Sequence, residues 1–319
     1  MSRSPGIRVV AGVLSDAAGR VLVSQRLARQ PMPGKWEFPG GKLESRETRI
    51  AGLARELGEE LGVTLVAARP LIRYRHVYPR LEVELDVWKV ERFAGQPVGR
   101  LGQLLRWAAV GELDELDLLE ADRPVVQAIA LPELCLVTGE PAGVPHEFLD
   151  RLDAALGRGI RLVQLRAPQL DARAYAALAA AAVPRCRSAG ARVLLNREPA
   201  AAVRLARRLG ADGIHVPARH IGALRACGAA DLLIGASCHD REELANARAA
   251  GAGFAVLGPV CPTRSHPERA PLGWPAFEAL VRDAGLPVYA LGGLRADDLP
   301  RAWAAGAQGV AAIRGFWAC

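Results

Sequence analysis

The stretch Gly40-Gly41-Lys42-Leu43-Glu44-Ser45-Arg46-Glu47, followed by Arg55-Glu56-Leu57-Gly58-Glu59-Glu60-Leu61-Gly62-Val63, decides the fold of the first part of the chain. Glu56, Glu59 and Glu60 stand at i, i+3 and i+4, so a helix places their carboxylates on one side. Four apolar residues fall together on another side: Ile50, Leu53, Leu57 and Leu61. Clustered carboxylates beside a glycine pair suit a Mg²⁺ ion that also holds phosphates, while a solvated acidic face is the alternative interpretation.

The same residues match the Nudix box, G-x5-E-x7-R-E-U-x-E-E-x-G-U with U a bulky aliphatic residue, at every fixed position. The matching residues are Gly41, Glu47, Arg55, Glu56, Leu57, Glu59, Glu60, Gly62 and Val63. Residues 1–131 therefore resemble a Nudix hydrolase domain. The patterns predict strands at Ile7 to Leu14, Val21 to Gln25 and Leu81 to Val90, and a closing helix at 121–130. Together they predict an α+β fold, a mixed sheet sandwiched by helices.

Within that superfamily the chain resembles the MutT-type 8-oxo-dGTP diphosphatases in three segments: Glu37 to Lys42, Gly102-Gln103 ahead of Trp107, and Ala121 to Val125. The resemblance implies hydrolysis of a nucleoside triphosphate to a monophosphate and pyrophosphate, in nucleotide-pool sanitation and DNA repair. It implies Mg²⁺, with Mn²⁺ as the alternative, held by the Gly40 carbonyl and by the catalytic Glu56, Glu59 and Glu60. Arg55 and Glu47 are expected to pair and brace the loop. The implied substrate-binding residues are Arg26, Glu37, Phe38, Pro39 and Asp122.

Two residues depart from the MutT pattern. Asp122 stands where the family usually has an Asn that reads the purine edge; an ionised Asp only accepts hydrogen bonds, so it must be protonated or meet a different face. Alternatively, Asp122 only caps the helix that begins at Arg123. Leu101 stands where such proteins carry an acid, so one metal ligand or base is missing.

A regular rhythm of short apolar strands and Ala-, Leu- and Arg-rich helical stretches begins after Pro132. The predicted strands are Leu134 to Thr138, Arg161 to Leu165, Val193 to Leu195, Gly213 to Val216, Leu233 to Ser237, Phe254 to Gly258, Val288 to Leu291 and Val310 to Ile313. Eight strands alternating with helices predict a second domain over 132–319, an α/β TIM (β/α)8 barrel.

The amino-acid sequence of residues 134–317 resembles thiamine phosphate synthase and its relative, the thiazole tautomerase. The segments that carry the resemblance include Val163 to Arg166, Gly210 to His215, Gly235 to His239, Gly258 to Thr263 and Gly292-Gly293. By position, the residues that would bind a phosphorylated thiamine-type ligand are Arg166, Asn196, His239, Thr263, Gly292 and Gly293. His239 matches the proton-shuttling His of the tautomerase, although a structural role fits it as well. Gly292 and Gly293 also suit simple tight turns.

The positions where the synthases carry acids and lysines differ here. Ala167-Pro168, Arg197, Pro217 to His220 and His266 replace them. The strand ends offer mostly cations and hydroxyl groups: Arg166, Arg197, His215, His239, Thr263, Ser265, His266 and Arg314. Such a mouth can hold a phosphate but is poorly equipped for Mg²⁺, so we expect a degenerate barrel without synthase activity.

Composition narrows the function classes. The net charge is +7, but the basic residues are nearly all Arg, with Lys only at 35, 42 and 89, and aromatic residues are 5%, so we expect no stable nucleic-acid binding. The six cysteines show no metal-type spacing. No secretory signal or membrane span is visible, which favours the cytoplasm and no membrane partner.

Three functions remain open from the sequence. The first is an 8-oxo-dGTP diphosphatase with a degenerate or regulatory barrel. The second, indicated by the fusion, is a Nudix enzyme that acts on a thiamine-pathway pyrophosphate, with a barrel that binds or isomerises the product. The third makes the barrel a sensor of phosphorylated ligands that controls the Nudix half.

Overall fold

The computed structural model describes residues 6–79, 81–139, 145–263 and 270–317. Its contacts divide the chain into two compact units, Met1–Ala130 and Leu131–Cys319. The boundary that the sequence predicts, after residue 131, is one position later than the boundary after residue 130 in the structure. Leu131 belongs with the second unit because its side chain is buried beside Phe254 and Tyr289 and its carbonyl accepts a hydrogen bond from Gln308 Nε2 at 3.1 Å.

In its described residues, the first unit is built from seven strands, of which the fifth and sixth are the longest, and from two α-helices. Its elements are β1 (Ile7–Leu14), β2 (Val21–Gln25), β3 (Trp36–Glu37), β4 (Gly40–Lys42), α1 (Arg49–Leu61), β5 (Thr64–Tyr78), β6 (Leu81–Ala94), β7 (Leu105–Ala108) and α2 (Arg123–Ala130). Two short 3-10 turns, Val110–Glu115 and Glu120–Asp122, precede α2. The strands form sheets in the orders β4-β1-β6-β5 and β3-β2-β7, with β1 and β6 parallel and β5 and β6 antiparallel. The predicted α+β fold with a mixed sheet is confirmed.

Local signals in the sequence set the ends of α1. Thr48 accepts a hydrogen bond from Ala51 N at 3.3 Å at the start, and Gly62 ends the helix in the left-handed conformation. Leu53, Leu57 and Leu61 are fully buried against the sheet, each stabilising the fold by about 1.5–3 kcal/mol. The expectation that Ile50 joins this stripe is wrong: it is 40% exposed, in the first turn of the helix.

The long strand β5 was not predicted from the sequence, because charged residues occupy positions that the fold buries. Arg69 and Arg73 are 8% and 5% exposed. Arg73 lies opposite Asp86 of β6, and the Asp86 Oδ2 atom is 2.8 Å from Arg49 Nε at the start of α1. Arg69 and Arg73 thus occupy buried positions of this strand beside the acids Glu91 and Asp86, where other strands carry apolar residues.

The second unit is a closed parallel barrel, which confirms the predicted TIM-type fold. Its strands are β8 (Leu134–Val137), β9 (Leu162–Leu165), β10 (Arg192–Leu195), β11 (Gly213–Val216), β12 (Leu233–Cys238), β13 (Phe254–Leu257), β14 (Val288–Leu291) and β15 (Gly309–Ala312). The α-helices around it are α3 (Pro145–Gly157), α4 (Ala172–Ser188), α5 (Pro199–Leu209), α6 (Arg241–Ala249), α7 (Gly273–Val281), α8 (Leu299–Ala304) and α9 (Arg314–Trp317). A 3-10 helix, Ala218–Ala226, follows β11.

Alternating residues of the barrel strands divide between two cores. Leu162, Leu194, Phe254, Val256 and Tyr289 fill the barrel interior, while their neighbours along each strand pack against the surrounding helices. In the described part of the chain, no helix has the length and apolar content needed to cross a membrane.

Candidate functional site

The glycine pair lets the backbone of β4 approach two neighbours that a side chain would exclude. A Cβ on Gly40, whose φ is 151°, would lie 2.1 Å from Val10 O of the adjacent strand. A Cβ on Gly41 would lie 2.4 Å from Glu56 Oε2. The carboxylate of Glu56 therefore lies directly against the strand backbone at Gly41.

Arg55 gathers the acids of the box. Its Nε and Nη2 atoms donate to the two carboxylate oxygens of Glu47 at 3.0 and 3.1 Å, and Nη1 donates to Glu56 at 3.0 Å and Glu59 at 3.1 Å. Nη2 also donates to Lys42 O at 3.1 Å. The structure thus contains the expected Arg55–Glu47 pair, and this hydrogen bond, against a smaller burial penalty, lowers the pKa of Glu47.

Glu60 lies apart from the arginine. Its Oε2 atom accepts a hydrogen bond from Gly40 N at 3.2 Å. Its pKa is raised to about 7, mainly by burial and also by the nearby Glu37 and Glu56 carboxylates, while the hydrogen bond from the Gly40 amide acts in the opposite direction. Burial likewise raises the pKa of Glu56. Acids in this state gain most from a nearby cation.

The donor set fits a hard divalent cation. Among residues 6–79, 81–139, 145–263 and 270–317, no three His, Cys, Asp or Glu side chains converge closely enough to hold a metal ion. Arg55 accounts for this in part, because it forms hydrogen bonds with both Glu56 and Glu59. The side chain of Glu59 is 59% exposed. All the candidate donors are oxygens, and Glu60 is a half-buried acid among acids, which is the environment that Mg²⁺ or Mn²⁺ relieves.

A second group of titratable residues lies at the other end of the Glu37–Gly40 segment. Arg26 pairs with Glu37 and donates from Nε to Pro31 O at 2.6 Å. Burial raises the pKa of Glu37, and Arg26 opposes that shift. Phe38 and Pro39 are buried, and the Pro39 carbonyl accepts a hydrogen bond from Gly12 N of β1 at 2.8 Å. These two residues therefore form the buried part of the segment.

Asp122 is buried, with 4% of its surface exposed, and its Oδ2 atom lies 3.3 Å from the donating Phe38 N. Burial raises its pKa to about 8, and the Glu37 charge adds to the rise. At neutral pH the carboxyl group therefore keeps its proton, so it offers one donor and one acceptor, as an Asn side chain would. Its hydrogen bond reaches across the sheet to Phe38, rather than into the first turn of α2.

Tyr78, the last residue of β5, lies near Asp122 and Glu120, and no sequence pattern indicated it. The residue is half-buried; burial raises the pKa of its hydroxyl, and the neighbouring Asp122 and Glu120 charges add to the rise. No alternation in β5 indicates this strand end, because charged residues occupy buried positions along the strand. Leu101, in contrast, is 45% exposed and brings no oxygen to the helix acids.

In the barrel, Arg166 and Asn196 follow the ends of β9 and β10. Thr138 clamps the backbone of Arg166, since its hydroxyl donates to Arg166 O at 2.8 Å and accepts from Arg166 N at 2.9 Å. Within the described ranges, the half-buried Arg166 guanidinium has no hydrogen-bond partner. Asn196 N contacts both Leu165 O, at 3.1 Å, and Tyr175 Oη, at 3.0 Å.

Arg197 does not serve the mouth as the sequence led us to expect. Its Nη2 atom donates to the Leu170 and Asp171 carbonyls, and its guanidinium lies 4.1 Å from the centre of the Tyr175 ring. The Arg197 guanidinium, at a position where the synthases carry a carboxylate, thus packs against the start of α4.

His215 is a second correction, because it is fully buried below the mouth. Its Nε2 atom lies 2.8 Å from Ser237 Oγ, and burial lowers its pKa to about 3. The imidazole is therefore neutral at physiological pH and adds no positive charge for a phosphate. Of the other expected mouth residues, Ser265 and His266 lie outside the described residues.

His239 is held by a carboxylate. Glu243 Oε2 accepts from both His239 N, at 2.7 Å, and His239 Nδ1, at 2.8 Å. An acceptor at Nδ1 favours the tautomer with the proton on that atom, which leaves Nε2 with a lone pair.

Gly292 and Gly293 have φ values of 108° and 67°. A Cβ on Gly292 would lie 2.6 Å from Pro259 Cβ, and one on Gly293 would lie 2.7 Å from Pro262 O. Close backbone approach therefore requires both glycines, whatever they bind. Nearby, Arg314 Nη2 lies 3.5 Å from Thr263 Oγ1.

Comparisons with known proteins agree with this division. The family model described as thiamine monophosphate synthase matches residues 134–316, and the NUDIX domain model matches residues 10–128. The chain is 40% identical to a thiamine-phosphate synthase of Chromobacterium violaceum over 51% of this chain and 78% of that protein. It is 32% identical to an 8-oxo-dGTP diphosphatase of Escherichia coli over 38% of this chain and 93% of that protein. A CTP pyrophosphohydrolase of Escherichia coli is 33% identical over 38% of this chain and 90% of that protein.

Proposed function

The chain belongs to the thiamine monophosphate synthase family and carries a NUDIX domain before the barrel, and on that premise we propose that the Nudix half is an 8-oxo-dGTP diphosphatase. It hydrolyses 8-oxo-dGTP to 8-oxo-dGMP and pyrophosphate, in the cytoplasmic nucleotide pool, and so limits mutation during DNA replication. The similarity to an 8-oxo-dGTP diphosphatase supports the reaction class. The choice of substrate rests on Asp122. This buried acid lies 3.3 Å from the Phe38 amide and offers both a donor and an acceptor to a purine edge.

In this proposal the Gly40 carbonyl and the carboxylates of Glu56, Glu59 and Glu60 hold Mg²⁺ or Mn²⁺. The bound ion neutralises phosphate charge and acidifies a water molecule. Glu56, fixed against Gly41 and by Arg55, orients the attacking water from a defined position. Arg55 acts by keeping Glu47, Glu56 and Glu59 together, and Arg26 keeps Glu37 in place beside the base pocket.

A release assay tests this proposal. The purified chain with Mg²⁺ is given 8-oxo-dGTP, dGTP, CTP, thiamine diphosphate and the pyrimidine pyrophosphate precursor of thiamine phosphate, and pyrophosphate and phosphate are measured separately. We expect pyrophosphate from 8-oxo-dGTP with the highest kcat/KM. If the chain prefers either thiamine-pathway compound, the proposal is wrong. The alternative that the fusion favours, a Nudix pyrophosphatase of that pathway, then applies.

For the barrel we propose that it binds a phosphorylated thiamine-type ligand at the carboxyl ends of its strands. The half-buried Arg166 guanidinium, without a partner among the described residues, supports an anion there, and Asn196, Thr263, Gly292 and Gly293 surround the same end. The His239 tautomer also supports proton transfer at Nε2. Calorimetry with a thiazole phosphate should show binding that Arg166→Met weakens by at least tenfold; equal affinity of both proteins contradicts the site.

A further inference from the structure

The loop between β6 and β7, residues 95–104, closes the carboxyl end of the helix that carries the box. The last turn of a helix leaves its carbonyl groups without partners inside the helix. Here Val98 N donates to Leu61 O at 3.0 Å, and Arg100 N donates to Glu60 O at 3.0 Å. Gln103 Nε2 donates to the same Glu60 carbonyl at 3.0 Å. The backbone of Glu60 is thus held from outside the helix by two donors.

Gln103 connects this contact to the shape of the loop. Its Oε1 atom accepts from Leu101 N at 2.9 Å, so both ends of the amide are used. Gly102, with a φ of 87°, donates from its amide to Gly99 O at 3.1 Å and completes the turn. A Cβ on Gly99 would lie 2.1 Å from Gln103 O. The loop therefore has one tight conformation in which the Gln103 amide points at the helix end.

The position of Glu60 matters because the loop itself supplies no acid. Leu101 is 45% exposed and apolar, so the carboxylates available for a cation come from α1. Glu60 reaches Gly40 N at 3.2 Å, a contact that a small shift of its backbone removes.

We propose that Gln103 is a positioning residue of the Nudix site: by holding the Glu60 carbonyl, it places the Glu60 carboxylate beside Gly40 for cation binding. This inference rests on the proposed function of the Nudix half. It assigns to Gln103 no contact with substrate or metal.

The test compares Gln103→Met, which removes both hydrogen bonds at nearly constant size, with Gln103→Glu, which also adds a negative charge. Gln96→Glu is the matched control, since it makes the same charge change at an exposed position of the same loop. Mn²⁺ binding to the full chain is measured by electron paramagnetic resonance, which needs no substrate, and kcat and KM are measured with 8-oxo-dGTP.

For Gln103→Met we expect the Mn²⁺ dissociation constant to rise and kcat to fall by about fivefold each, the effect of losing the one of its two hydrogen bonds that holds Glu60, with KM unchanged. Gln103→Glu should exceed this, and Gln96→Glu should match the wild type. A merely structural Gln103 would lower Tm but leave Mn²⁺ affinity and kcat of the folded protein unchanged, and that result overturns the proposal.

The outcomes separate the two proposals. A wild-type chain that binds Mn²⁺ but hydrolyses no nucleotide contradicts the proposed function, while the Mn²⁺ comparison still decides the role of Gln103. A wild-type chain that binds no Mn²⁺ overturns both. If Gln103→Met does not fold, Arg100→Met, which removes only the 3.3 Å bond from Nη1 to Gly58 O, should weaken Mn²⁺ binding by about twofold, and no change overturns the role of the loop.

Discussion

An arginine stands beside each of the two candidate sites, and the two arginines do opposite things. In the Nudix unit, Arg55 draws Glu47, Glu56 and Glu59 together next to the glycine pair. In the barrel, Arg197 turns away from the strand ends and packs on Tyr175 and two carbonyl groups of the 170–171 segment. Arg55 thus holds the anions of the first site together. Arg197 stands where a synthase carries an anion, and it packs away from the carboxyl ends of the barrel strands.

The difference shows that net charge at a site depends on where the groups point. Counting residues gives the barrel mouth several cations, yet Arg197 is engaged elsewhere and His215 is neutral. Counting gives the Nudix helix three carboxylates, yet burial raises the pKa of Glu60 to about 7, so part of that charge is absent until a cation binds. The predictions below test each side of this contrast.

The largest expected effect concerns the barrel: the full chain should not support growth of a thiamine-requiring bacterium that lacks thiamine phosphate synthase. Ala167-Pro168, Arg197 and Ala218-Arg219-His220 stand where the synthases hold Mg-pyrophosphate, and an arginine is a poor substitute for a bridging Mg²⁺. The same strain with a functional synthase is the positive control. Growth without thiamine would show that the barrel keeps the chemistry despite its lost acids.

In the Nudix unit, Glu60→Gln should lower kcat for pyrophosphate release by about a hundredfold or more, because metal activation and charge stabilisation are large contributions. Folding should persist, since Gln keeps the size and can still accept from Gly40 N. Initial rates at limiting Mg²⁺, with Tm as the folding control, test this. Full activity under those conditions would remove Glu60 from the metal site.

A smaller change is expected at Asp122, which accepts a hydrogen bond from the Phe38 amide. Above pH 8, where Asp122 loses its proton, Asp122→Asn should increase the preference for 8-oxo-dGTP over dGTP by about 1–3 kcal/mol, the scale of one recovered buried polar contact. The ratio of the two kcat/KM values measures it, and Asp114→Asn, at an exposed position, is the control. An unchanged ratio would leave Asp122 with a structural role only.

The smallest effect is on stability, and it depends on pH. The pKa of Asp122 is about 8 in the folded chain against an ordinary value of 3.8, because the group is buried. The unfolded chain releases this proton above about pH 4 while the folded chain keeps it, so the free energy of unfolding falls as the pH rises from about 4 to 8. Asp122→Asn should therefore raise Tm by several degrees at pH 8 and by little at pH 4. A Tm difference that stays constant across this range contradicts a proton held on Asp122.

Both folds could be predicted from the sequence, because each depends on local patterns. The barrel strands recur as short apolar runs, and the predicted ends of most of them lie within one residue of the observed ends. The helix of the box has its cap, its leucine stripe and its terminal glycine within fifteen residues. Strand β5 does not follow such a pattern, because Arg69 and Arg73 occupy buried positions beside Glu91 and Asp86 of β6, and only the fold brings these acids to them.

For the sites, the sequence by itself determined which groups are available: the acids of α1, the glycine pair, Arg166, His239 and the missing carboxylates of the barrel. Only the tertiary structure decided their state. Asp122 keeps its proton because the fold buries it and brings the Glu37 charge close, and His215 loses its charge because the barrel closes around it. The ionisation of a buried group depends on the dielectric and the charges around it, and these come from residues that are distant in the chain and meet only in the fold.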